Sequence, residues 1–285
     1  MDFHYLENTN QIEITKYLGK DSIVTIPEKM DEKPVTSIGS KAFLSCGEVT
    51  ALYLPKTIHT VGDWAFCHMK SLRKLSVETI PTFGRQVWKG CPMLSEIEVR
   101  GLDNQDVSRL AASGIPFWND TMKALKESLA DNNLKNWFFQ YDNALMLYLQ
   151  KPLDEGFVPG FVGWFDDGDV EDDRVSYKKD EIKKRVFFVL QRLQYNSFLQ
   201  KEAQDFYVRK LLEENSKSDL LEALSHKPLC DDVEKLKQFR AIGGFRILEA
   251  KVLLEHIDMP EPEVTAFLLS CTKDEGDDLF ATLTL

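Results

Sequence analysis

Apolar and polar residues alternate in short runs along the first third of the chain, and the runs recur at a nearly constant spacing. Strict alternation over a few residues predicts a short, half-buried β-strand. Such strands are predicted within residues 23–27, 49–55, 72–77 and 94–99, and an edge strand at 12–14 is predicted to close the first turn.

The segments between these strands also resemble one another. Ile-Gly, Ala-Phe and Cys occur in that order in the first copy, and later copies keep similar residues: Ile38-Gly39, Ala42-Phe43 and Cys46; Val61-Gly62, Ala65-Phe66 and Met69; Phe83-Gly84, Val87-Trp88 and Cys91. A period in the low twenties predicts a solenoid, here of about three turns. Because stacked units present one continuous surface, this pattern favours binding over an enclosed catalytic pocket.

The order Ile-Gly, Ala-Phe, Cys and Leu-x-x-Ile-x-Ile-Pro resembles the BspA-like leucine-rich repeats, also called the Treponema pallidum type. The resemblance covers roughly residues 10–101, and the third copy departs from it because Val87-Trp88 replaces Ala-Phe and no proline follows Val99. The resemblance implies a curved sheet on one side of the coil. The repeat glycines are expected to supply tight bends, and Phe43, Phe66 and Trp88 to form an aromatic ladder inside.

Alternation along the predicted strands assigns their outward side chains. Leu52 and Leu54 point inward, so Tyr53 points outward, and the same reasoning gives two neighbouring outward rows. These candidate partner-binding residues are Thr25, Tyr53, Ser76 and Glu98 in one row and Lys74 and Glu96 in the other. The rows suit either a solvated sheet face or a binding face.

From about residue 103 the apolar residues fall three and four apart, which predicts amphipathic helices. Clear stripes occupy residues 134–149 and 182–193, and further helices are predicted over 203–214, 218–224, 231–239, 245–257 and 261–272. We therefore predict an α+β fold, with a short leucine-rich-repeat β-solenoid at 1–102 and an acidic, all-α helical domain at 103–285. The start of the helical part is expected to cap the last repeat through Val107, Leu110, Ile115, Phe117 and Trp118.

An aromatic and acidic segment interrupts the helical part at residues 156–173. A calcium-loop interpretation fails because Asp172 occupies the position of the turn glycine and Lys178 that of the bidentate glutamate. Either the segment is a connecting loop with solvent-exposed acidic residues and buried aromatic residues, or it is a surface patch that binds a basic partner. This alternative site comprises Phe161, Trp164, Phe165, Asp166, Asp167 and Asp169.

Charge argues against nucleic acid as a partner. The chain carries a net charge of −11, while residues 1–101 contain twelve basic and twelve acidic residues, so the whole excess falls on the helical part. Phosphate-backbone binding needs a clustered positive field. The basic cluster at 178–185 is interrupted by Asp180-Glu181, which indicates the solvent-exposed face of a helix and not a nucleic-acid site.

No catalytic or metal-binding motif is found in the sequence: Gly-x-Ser-x-Gly, His-Glu-x-x-His, the phosphate-binding loop, the Rossmann glycines and Cys-x-x-Cys do not occur. Five cysteines without paired spacing argue against a disulfide framework and are expected to be buried thiols. We predict no catalytic residues, metal or cofactor.

The prediction for function is a bacterial interaction module that binds a protein, with a structural or self-assembling module as the alternative and an enzyme less favoured. Nucleic acid and membrane are not predicted partners, and the sequence leaves the oligomeric state open. No signal peptide or membrane span is recognised, so the expected location is cytoplasmic.

Overall fold

The fold is described by a computed structural model that covers residues 2–8, 10–112, 118–157, 170–227, 229–246 and 248–282. The strands are β1 Phe3–Asn8, β2 Gln11–Tyr17, β3 Ile23–Thr25, β4 Lys29–Met30, β5 Lys33–Ile38, β6 Ala51–Leu54, β7 Thr60–Val61, β8 Lys74–Val77, β9 Thr82–Phe83 and β10 Glu96–Val99. The helices are α1 Gln105–Ala111, α2 Trp118–Ala130, α3 Leu134–Gln150, α4 Val170–Gln194, α5 Lys201–Leu212, α6 Lys217–Leu224, α7 Val233–Ala241, α8 Ala250–His256 and α9 Pro262–Thr282.

The chain divides into two compact units, Met1–Tyr141 and Asp142–Leu285. The predicted boundary at 102/103 is where strands give way to helices, and as a domain boundary it stays a prediction. The α+β class is confirmed, since the first unit contains the solenoid and the second consists of helices where it is described.

Two parallel ladders of strands build the solenoid. One sheet has the order β3-β6-β8-β10, and the other carries β2-β5-β7-β9, with β1 added antiparallel to β2. These pairs give about four turns, one more than the repeats alone suggested. The extra turn is formed by β2 and β3, which lack the Ala-Phe motif. The expected edge strand at 12–14 is instead an inner strand, because β1 covers it on one side and β5 on the other.

A third ladder of backbone hydrogen bonds joins successive turns at the Ala-Phe position. The amide of Tyr17 donates to Ala42 O, that of Phe43 to Ala65 O and that of Phe66 to Val87 O, at 2.8–3.0 Å. The aromatic rings of these residues follow one another inside the coil, with centroids 5.2 Å apart for Tyr17 and Phe43, 5.7 Å for Phe43 and Phe66 and 5.6 Å for Phe66 and Trp88. The expected ladder is therefore present, and it begins one turn earlier, at Tyr17.

The repeat glycines serve close stacking of the turns. A Cβ atom on Gly62 would lie 2.5 Å from the Ser40 amide nitrogen and 2.8 Å from the Gly39 carbonyl carbon. Neither Gly39, Gly62 nor Gly84 has a positive φ angle. The expected requirement for a residue without Cβ is therefore met by the narrow space between neighbouring turns, and no left-handed backbone is involved.

Helix α1 packs against β10 at the end of the array. Asn104 caps its first turn by accepting a hydrogen bond from the Val107 amide at 3.0 Å, and Val107 and Leu110 are buried. Of the other residues expected to cover the last turn, Ile115 and Phe117 lie outside the described residues, as does the side chain of Trp118.

In the second unit α4 packs against α5, α6 and α7, and α9 packs against α7 and α8. A buried ion pair adds to this packing: Arg192 binds both carboxylate oxygens of Asp142, at 2.7 and 2.9 Å, and the Tyr207 hydroxyl donates to the same carboxylate. The prediction of a single helix over 245–257 was wrong. A short 3-10 turn occupies Gly244–Arg246, and α8 begins only at Ala250 because Glu249 is extended.

Candidate interaction surface

The sheet β3-β6-β8-β10 aligns the predicted partner-binding residues. Its parallel register places Thr25 beside Tyr53, Tyr53 beside Ser76 and Ser76 beside Glu98. The residues between them along each strand point into the coil and are buried, including Leu52, Leu75 and Ile97. The outward rows predicted from alternation are therefore contiguous in the structure, and we call them the strand face.

The second row of the strand face consists of Ile23, Ala51, Lys74 and Glu96 in register. Ile23, which is 61% exposed, is an outward apolar residue that the sequence did not single out. The signal for it was available, because Ile23 and Thr25 are two residues apart and so point to the same side of β3.

An ion pair connects the two rows of the strand face. The Lys74 ammonium lies 2.5 Å from the Glu98 carboxylate, which belongs to the neighbouring row. This hydrogen bond, with the nearby Glu96 carboxylate adding to it, raises the pKa of Lys74 above its ordinary value. Because the pair is half-exposed, it fixes the two side chains in position more than it stabilises the fold.

A groove of about 700 Å³ runs along the carboxyl ends of these strands. Four of the predicted residues line it, and the rest of its lining comes from the last residues of the strands and the segments that follow them: Thr25, Tyr53, Ser76 and Glu98, with Ile26, Pro27, Glu28, Leu54, Pro55, Glu78, Val99, Arg100, Gly101 and Leu102. Tyr53 is the only aromatic side chain in this lining and is 36% exposed. Glu78 is bound to Arg100 at 2.7 Å.

The alternative site predicted from the sequence lies outside the described residues: Phe161, Trp164, Phe165, Asp166, Asp167 and Asp169. The basic cluster that follows them on α4 is engaged in the structure, since Lys178 pairs with Asp154 at 3.5 Å and Lys183 with Glu222 at 3.2 Å.

The cysteine thiols are arranged as packing groups. Burial raises the pKa of Cys91 and of Cys230 to about 11, and it also raises the pKa of Cys46 and Cys67. None of the five cysteines, all of which are described, forms a disulfide. Cys46 and Cys91 are only half-buried, which corrects the expectation that these thiols are buried.

Within the described residues, no group of three or more His, Cys, Asp or Glu side chains is placed to hold a metal ion. In the part of the chain that the structure describes, no helix is both long and apolar enough to cross a membrane.

Among solved structures, several leucine-rich repeat proteins match about a third of this chain. A leucine rich repeat protein of Treponema pallidum is 25% identical over 33% of this chain and 56% of that one, with a TM-score of 0.27. A leucine rich cell surface protein of Faecalibacterium prausnitzii is 28% identical over 33% of this chain and 28% of that one, with a TM-score of 0.31.

A leucine-rich repeat protein of Bacteroides ovatus is 26% identical over 34% of this chain and 28% of that one, with a TM-score of 0.29. The chain thus spans about half the length of the Treponema protein, and less than a third of the other two. No curated protein matches the sequence significantly. Residues 4–111 match the family described as BspA type leucine rich repeat region, in six copies, and this N-terminal part of the chain is therefore a BspA-type leucine-rich repeat region.

Proposed function

We propose that the chain is an adaptor that binds a protein partner through the strand face. Leucine-rich repeats generally mediate protein–protein interactions, and no specific partner follows from the family. The observation that carries the proposal is the in-register outward row in which Tyr53 lies between Thr25 and Ser76, with Glu98 at its end. A rigid strand face offers one aromatic anchor among polar groups without reorganisation on binding.

Capture of the co-purifying partner by a double variant tests this proposal. Tyr53→Ala with Glu98→Gln is expected to weaken capture while the melting temperature stays nearly unchanged, because both side chains are largely outside the core. A matched control is Leu44→Ala with Glu48→Gln, which changes an exposed apolar residue and an exposed acid elsewhere on the repeats. Undiminished capture by the folded Tyr53 and Glu98 variant, with loss on altering Trp164 and Phe165, would move the function to the helical part.

A self-assembling module is the second candidate, and β1 favours it. This strand pairs with β2 on one side only and is the outermost described strand of its sheet, with Leu6 57% exposed. An edge strand of six residues can accept another strand. Sizing at two concentrations separates the candidates, since an adaptor of this kind stays a monomer and a β1-paired module shifts toward the dimer.

We propose no enzymatic activity. The raised pKa values of Cys91 and Cys230 argue only against a cysteine nucleophile, because they keep these two thiols protonated at neutral pH. We also propose a cytoplasmic location. Five cysteines without a disulfide suit a reducing compartment. Cell fractionation tests the location, and recovery of the chain in a surface or secreted fraction would contradict it.

A further inference from the structure

A second cavity in the first unit, of about 460 Å³, has an apolar floor. Ile58, Ile80 and Val99 form this floor and are all buried, and Leu129 of α2 adds an apolar wall. None of the outward side chains of the strand face lines this cavity. It shares Glu78, Val99 and Arg100 with the groove beside the strand face, and its floor has room for an apolar side chain of a ligand.

The rim of this cavity is basic, although the chain as a whole is acidic. Lys56, His59, Arg100 and Lys126 line it, together with the single acid Glu78. Arg100 is bound to Glu78 but remains 70% exposed. The three permanent cations therefore exceed the one carboxylate of the lining.

Two of these cations are held weakly or not at all by carboxylates of the described residues, so they are available to a ligand. Lys56 lies 3.7 Å from Glu28 in an exposed ion pair, which is a weak interaction in water. Within the described part of the chain, Lys126 forms no ion pair. Both ammonium groups can accordingly turn toward an anion at the rim at little cost.

We propose that this cavity binds an acidic peptide segment of a partner protein, in which an apolar side chain is flanked by carboxylates. The apolar side chain occupies the floor of Ile58, Ile80 and Val99, and the carboxylates meet Lys56 and Lys126. A free phosphate ion fits this arrangement less well, because it would leave the apolar floor uncovered. The proposal goes beyond the strand face and does not depend on it.

Fluorescence anisotropy with a short synthetic peptide tests the proposal on the full-length protein. The probe has a central Leu-Trp pair flanked by glutamates, and two control peptides replace either the glutamates by glutamine or the Leu-Trp pair by serine. The variant Lys56→Gln with Lys126→Gln is expected to weaken binding roughly two- to thirty-fold, as the loss of two exposed charge contacts predicts. Lys16→Gln with Lys70→Gln removes the same charge from exposed lysines elsewhere on the repeats and is expected to leave binding unchanged.

Both control peptides are expected to bind more weakly than the probe, and added salt to weaken the probe further. Equal loss in the two lysine variants would show non-specific attraction and overturn the proposal. So would equal binding of the serine peptide, or displacement of the probe by inorganic phosphate at a similar concentration. The Tyr53 and Glu98 variant is expected to bind the probe normally, so failure of the strand face and failure of this cavity give different results.

Discussion

Phe66 is the middle ring of the aromatic ladder, between Phe43 on one side and Trp88 on the other. Its side chain is completely buried, and its amide donates to Val87 O in the next turn. One residue therefore joins three turns through both its ring and its backbone, while Tyr53, on the outward side, contributes little to this packing.

Replacement of Phe66 by alanine is expected to cost about 3–5 kcal/mol of unfolding free energy, because a buried aromatic leaves a cavity that its neighbours fill poorly. Tyr53→Ala is expected to cost far less, since Tyr53 is 36% exposed. Urea or thermal unfolding of both variants measures the difference. Equal shifts would mean that the strand faces are assigned wrongly.

Gly62 tests the close stacking of turns at a second residue. Gly62→Ala is expected to destabilise the fold by about 1–3 kcal/mol, because its Cβ would collide with the backbone of Gly39 and Ser40. Gly47→Ala is the control: its nearest atom would be Ser45 O at 4.0 Å, and its φ is not positive. There the change is expected to be neutral or slightly stabilising, so equal destabilisation at both positions would contradict the explanation.

At the scale of elements, the solenoid is a stack of turns, and the apolar surface at each end of the stack needs a covering element. The β1–β2 hairpin closes one end of the solenoid, and α1 lies against β10 at the other. Because each turn buries its apolar side only against its neighbours, short arrays depend on such caps.

Removal of α1 tests its role as a cap. A fragment that ends at Leu102 is expected to aggregate or unfold readily, because it exposes the surface of β10 that Val107 and Leu110 cover. A fragment that ends at Tyr141, which keeps the first compact unit whole, is the comparison. A soluble shorter fragment with a cooperative melting transition would refute the capping role.

Among the helices, the buried ion pair between Asp142 and Arg192 joins α3 to α4. Asp142→Ala is expected to cost about 3–5 kcal/mol, because it leaves a fully buried guanidinium without its carboxylate. Asp205→Ala, which removes the exposed partner of Lys201, is expected to cost about 1 kcal/mol or less. Denaturant unfolding measures the loss of unfolding free energy in each variant. Similar losses would show that the buried ion pair does not stabilise this unit more than an exposed one does.

At the scale of the whole molecule, the sequence predicted most of the repeat architecture and most of the helices that follow it, but not the features that only tertiary packing creates. Periodicity placed Tyr53 and Glu98 on one face, because alternation along a strand is a local property. It could not identify β1 as the covering strand, since Phe3–Asn8 has no counterpart in the repeats. It also could not find the basic cavity, whose Lys56 and Lys126 come together only through the packing of α2.

Contact between the strand face and a protein partner is tested most directly by site-specific photo-cross-linking. A photo-reactive amino acid is placed at Tyr53, at Leu44 as an exposed control on the repeats, and at Trp164 as the rival site. We predict a partner cross-linked from position 53 and none from position 44. A partner cross-linked from position 164 and not from position 53 would contradict this prediction.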